Sequence, residues 1–117
     1  VSDPETNVWL ANKLMTEIMS TLRLPESISE KDRMSIVLAS YNSGIGHVTD
    51  ARRLARLHGE NPNSWEVVAR YLTLKAQPEY YENEVCKCGR FTGSRQTLAY
   101  VDYVIERYEK YCRIAGR

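Results

Sequence analysis

The chain has 117 residues, 43% of them hydrophobic and 26% charged, with a formal net charge of +1. That is enough for one domain with one core, and no apolar run approaches the ~18–20 residues of a membrane span. A near-neutral total also argues against a strong electrostatic grip on nucleic acid or acidic membranes.

In chain order, VSDPETN lacks the pattern of a signal peptide and fits a mature end or an internal boundary equally well. Asp3-Pro4 is a helix start, with Asp as N-cap and Pro at the first helical position. Val8, Leu10, Leu14, Ile18 and Leu22 follow at mostly helical spacings, with Trp9 and Met15 widening the apolar face, up to a stop before Pro25. Ser29 caps a second helix with Glu30 and Asp32 in its first turn. Met34, Val37, Leu38 and Tyr41 share one face of it, and Ser43-Gly44 breaks the run.

A third helix is predicted over about residues 45–58, with Val48, Ala51, Leu54, Ala55 and Leu57 inward, Arg52, Arg53 and Arg56 in water, and Gly59 as C-terminal cap. Ser64 caps a fourth, carrying Trp65, Val68, Tyr71 and Leu72 and closed by Pro78. Residues 77–94 are irregular and rich in Tyr, Cys and Gly. A loop this long in a compact domain is usually functional or a cover. The last helix runs from about Ser94 to Ile114, with Leu98, Val101, Ile105 and Tyr108 on one face. No segment has the signals of a strand. The expectation is one all-α domain spanning residues 1–117.

The three cysteines leave alternatives open. Cys86 and Cys88 form a C-x-C, unlike the C-x₂-C of common zinc sites, and no second pair completes it. One disulfide with a leftover thiol and three unpaired thiols both fit. No metal or cofactor is expected. His47 is expected at the surface or as a cap, and Trp9 and Trp65 in the core.

Two segments carry more information than packing requires. "ASYNSGIGHVTDARRLA" resembles the A-Y-N-x-G-x-G-x-V-x-x-A motif of lytic transglycosylases in the goose-type-lysozyme-like superfamily. "GSRQTLAYVDYVIERY" resembles their closing E-T-x-x-Y-V-x-x-I/V-x-x-Y helix, and "DPETNVWLANKLM" is similar to their D-P-x-x-N-I helix. The ordered set covers nearly the whole chain and is most similar to the membrane-bound F-type enzymes.

The resemblance implies a lysozyme-like (goose-type, SLT) helical domain that cleaves the β-1,4 bond between N-acetylmuramic acid and N-acetylglucosamine in peptidoglycan. The product would be 1,6-anhydromuramic, and the location the bacterial cell envelope, periplasmic or outer-membrane-associated. Such enzymes use one glutamate where ordinary glycosidases use two carboxylates. It protonates the leaving oxygen, then takes a proton from the muramic C6 hydroxyl, a double duty that needs a raised pKa. The family's E-S-x-F and G-A-x-G-L-M-Q segments precede the D-P-x-x-N helix and have no match here. The Glu26-Ser27 pair lies on the wrong side of that helix and is a coincidence. No catalytic residue is therefore assigned within the chain, and the acid is expected upstream of residue 1.

The same resemblance assigns substrate contacts to Tyr41, Asn42, Ser43, Gly44, Gln96 and Tyr100. Tyr41 would sit beside the glutamate and Asn42 would hold the sugar, with Gly44 and Gly46 letting the backbone turn and approach a ligand. Gln96 stands where the family has Glu, keeping the reach and losing the charge. The bland reading makes Tyr41 and Tyr100 core aromatics, Asn42 a helix terminator and Gln96 an exposed helix residue. Two other functions compete: a peptidoglycan-binding module that does not cut, and a helix-turn-helix DNA-binding domain built on Arg52, Arg53 and Arg56. Near-neutral charge weighs against nucleic acid. If helices are missing, the apolar surface they covered should drive self-association or bind a partner.

Overall fold

The computed structural model describes the backbone of residues 4–116 and the side chains of residues 12–116. The Asp3 cap and the side chains of Val8, Trp9 and Leu10 lie outside the described residues. Those residues form six helices and no strand: α1 Pro4–Leu22, α2 Glu30–Ser43, α3 Ile45–Leu57, α4 Trp65–Leu74, the short α5 Pro78–Tyr81 and α6 Ser94–Ile114. The fold is all-α, as a lysozyme-like domain requires. No helix among the described residues is long and apolar enough to cross a membrane.

The polar punctuation explains the boundaries. Ser29 accepts from the Asp32 amide and Ser64 from the Val67 amide, each satisfying one of the amide donors that a helix start leaves unpaired. α1 ends at Leu22, where Arg23 turns left-handed at φ 50°. α2 and α3 abut across Gly44 alone. Its φ of 101° suits glycine, and its amide returns to Ser40 O at 2.9 Å. Pro78, expected to close the fourth helix, instead opens α5, because α4 has already ended at Leu74.

α2 is the hub, packing on α1, α3, α4 and α6. Ile18 and Leu22 of α1, Ile36, Val37 and Ala39 of α2, Val48, Ala51, Leu54 and Ala55 of α3, Val68, Tyr71 and Leu72 of α4, Phe91, and Val101 and Ile105 of α6 form one core. Each buried Val, Leu or Ile contributes about 1.5–3 kcal/mol.

Four residues depart from the sequence expectations here. Arg52 is buried at 4% exposure. Its guanidinium donates to Pro62 O at 3.0 Å, Leu22 O at 3.0 Å and Asn63 Oδ1 at 2.8 Å, clamping the end of α1 to the turn before α4. Three acceptors offset the cost of burying the charge. Leu57, expected inside, is 53% exposed at the last position of α3, although Leu54 and Ala55 in the same turn are fully buried. Leu14 and Tyr108, placed on apolar faces, are both exposed. Tyr108 reaches Glu30 through its hydroxyl at 3.3 Å.

Candidate functional site

The site is built where α2 ends and α6 begins. Asn42 lies in the last turn of α2 and Thr97 in the first turn of α6. The buried Thr97 hydroxyl donates to Asn42 Oδ1 at 2.8 Å, across 55 positions of sequence. That bond joins the Y-N-S-G turn to the S-R-Q-T start, the two segments singled out from sequence. Tyr41, at 46% exposure, and Asn42 both open to solvent beside it. Gln96, next to Thr97, is exposed, and Tyr100, three residues on, is half-buried against the core. Tyr41 is thus not the core aromatic of the bland reading, whereas Tyr100 is partly one.

Ser43 and Gly44 play a different part. The Ser43 hydroxyl donates inward to Ala39 O at 2.7 Å, so its proton is committed to the helix. Gly44 supplies the turn itself. Gly46 does permit a close approach, but to the chain's own loop: a Cβ there would collide with Cys88 Sγ.

What holds this geometry is a buried polar cluster that the sequence reading missed. Lys75 and Asp50 are both fully buried, paired at 2.8 Å. Asp50 also accepts the Lys87 and Cys88 amides, each at 2.8 Å. Lys75 can only donate, so its 2.8 Å contact with His47 makes Nδ1 of that ring the acceptor and puts the ring proton on Nε2. His47 packs against Phe91 with centroids 4.7 Å apart and the rings tilted by 36°, and the Phe91 amide bonds Lys75 O at 3.2 Å. The loop after α5 is thereby pinned to α3 and α4 and delivers α6 to Asn42. His47 is a half-buried partner of Lys75, not a surface or capping residue.

The electrostatics follow from these contacts. Burial pushes the Asp50 carboxyl up, but the bonds from Lys75, Lys87 and Cys88 and the Lys75 charge outweigh it and hold it below the usual carboxylate range. Burial, then the Lys75 charge, lowers His47 against a smaller opposing pull from Asp50. Burial pushes the Cys86 thiol up, and Asp50 adds to this. Cys86, Cys88 and Cys112 are free, and no group of metal-ligating residues is assembled among the described residues.

A second cluster lies where α3 passes into α4. Glu60 accepts both guanidinium nitrogens of Arg70 and the Tyr71 hydroxyl. The Arg70 bonds, then Tyr71, hold Glu60 below the usual range, while burial and Glu60 push Tyr71 up to about 12. Neither bonded carboxylate has the raised pKa that a general acid needs. Arg52 being buried, α3 offers solvent Arg53 and Arg56 but not the three-arginine face on which the helix-turn-helix reading stood.

No family model matches the chain. Among curated proteins, a membrane-bound lytic murein transglycosylase F from Shewanella loihica is 40% identical over 107 residues, covering 92% of this chain and 21% of the relative. Its namesake in Shewanella halifaxensis is 37% identical over 107 residues, covering 92% of this chain and 22% of its own length. That of Shewanella frigidimarina is 42% identical over 87 residues, or 74% of this chain and 18% of the relative. The chain spans about one fifth of the length of the curated relatives it matches.

Proposed function

We propose that the chain, which is similar over 107 residues to membrane-bound lytic murein transglycosylase F proteins at 37–40% identity, belongs to that family and forms part of a peptidoglycan lytic transglycosylase domain of the cell envelope. The reaction is cleavage of the bond between N-acetylmuramic acid and N-acetylglucosamine with a 1,6-anhydromuramic product. Tyr41, Asn42, Gln96 and Tyr100 face the glycan, while Ser43 and Gly44 shape the turn that presents them. The observation that supports this reading is the Thr97–Asn42 bond, which joins two segments 55 positions apart into one exposed polar edge.

The proton donor comes from outside these 117 residues. Asp50 is buried and ion-paired, and Glu60 is tied to Arg70 and Tyr71. Both are held in the ionised form, the wrong state for protonating a leaving oxygen. Tyr41 then has a place in the mechanism as a directional donor beside that acid, and Asn42 as an amide that holds the sugar while the C6 hydroxyl closes the anhydro ring.

The test is mass spectrometry of purified peptidoglycan after incubation with this chain and, separately, with a version extended upstream. Anhydromuramyl products from the extended version alone are the expected result. Products from the 117 residues alone would put the acid among their carboxylates. Glycan binding with no product from either would favour the second reading, a peptidoglycan-binding module that does not cut.

A further inference from the structure

We propose that Thr97 is a positioning residue that fixes the Asn42 amide in one orientation, so that the site offers the glycan a hydrogen-bond donor and selects sugars bearing an N-acetyl carbonyl. This rests on the reading that Asn42 faces the sugar.

The side-chain hydroxyls of the other helices show what is unusual. Thr16, Ser40, Ser43, Thr49 and Thr73 each donate to the carbonyl four residues back in their own helix, the local bond that helical Ser and Thr favour. Thr97 forgoes that bond and donates to Asn42 Oδ1 on another helix. It is buried at 2% exposure, and a buried β-branched side chain has little rotamer freedom. Its hydroxyl therefore points where packing puts it.

An amide has one acceptor end and one donor end. With Oδ1 engaged by Thr97, the Asn42 Nδ2 group is the end left over, and it has no partner among the described residues. An exposed amide would otherwise turn to suit any hydroxyl. Held as a donor, it discriminates. The acetamido carbonyl of an N-acetylated sugar is an acceptor and completes the bond. The ammonium of a de-N-acetylated sugar can only donate, and sets donor against donor. Sites built around a directed polar group reject the mismatched analogue far better than apolar pockets do.

The experiment titrates the ¹⁵N-labelled chain with the tetramer of N-acetylglucosamine and with its fully de-N-acetylated counterpart, following the Asn42 side-chain amide by NMR. Wild type is compared with Thr97→Ser, Thr97→Val and Asn42→Ala. Wild type and Thr97→Ser are expected to prefer the acetylated tetramer by about tenfold, the worth of one hydrogen bond, with an ordered Asn42 amide even without ligand. Thr97→Val, matched in volume, should lose the preference and show a mobile amide. If Thr97→Val keeps both while Asn42→Ala loses binding, the positioning role is overturned and the Asn42 reading stands. Equal losses in Thr97→Ser and Thr97→Val would reduce Thr97 to packing and also overturn the proposal. If Asn42→Ala binds like wild type, or wild type shows no preference, the Asn42 reading itself fails, and the proposal with it.

Discussion

Asp50 shows how much one side chain can organise. It is buried, paired with Lys75, and accepts two loop amides, so removing its charge strands the Lys75 ammonium. Asp50→Asn is expected to cost about 3–5 kcal/mol in urea unfolding, and the Asp50→Asn, Lys75→Met double variant less than the sum of its parts. The pH dependence follows from two lowered groups. His47 titrates in the fold below its ordinary 6.5, so the unfolded chain takes up that proton first. Stability should therefore fall as the pH drops below ~6.5, until the folded ring protonates too. Asp50 adds stability that is present above its ordinary 3.8 and is lost as pH falls through its lower folded value. Thermal melts across this range check the sum, and His47→Gln should remove the shallower, less acidic part of the decline. None of this was legible in the sequence. Asp50 and Lys75 stand 25 positions apart, beyond the reach of helical periodicity. Arg52 misled for the same reason. A run of arginines reads as solvated until Pro62 and Leu22 are seen to bring their carbonyls to it.

At the scale of the helix, the chain was largely readable, because its boundaries are written in local chemistry. Ser29 and Ser64 cap, Gly44 turns, and Ser94 to Ile114 forms one helix as the spacing predicts. Ser29→Ala should cost about 1 kcal/mol in thermal unfolding, as the loss of an N-cap bond does. Gly46 is the informative exception. Its value as glycine was legible, but its reason was not. The close approach is made by Cys88, and the residue belongs to the anchoring of the loop rather than to the glycan edge. Gly46→Ala is expected to force the segment around Cys88 away from α3 and raise the labelling rate of the Cys88 thiol. An unchanged rate would show that Cys88 Sγ can move aside without the loop. The short α5 escaped prediction because four residues give no periodicity to read.

For the whole molecule, the described part of α1 leaves apolar side chains exposed. Leu14 and Met19 of α1 are exposed, and Met19 lines a groove with Met15, Met34, Val37 and Leu38, edged by Glu30 and Arg33. Contiguous apolar surface of this kind binds partners or other copies. Sedimentation of the 117-residue chain is expected to show concentration-dependent association, reduced in a Leu14→Glu, Met19→Glu variant. A monodisperse monomer with little binding of a hydrophobic dye would rule this out. The irregular stretch before α6 behaves differently. The loop carrying Cys86 and Cys88 has no helix or strand to protect it, yet its Lys87 and Cys88 amides end on a carboxylate that no water reaches. Those two protons should therefore exchange with deuterium as slowly as core helix amides. Exchange that slow would place this irregular stretch in one opening unit with α3 and α4, whereas fast exchange would show the loop opening alone.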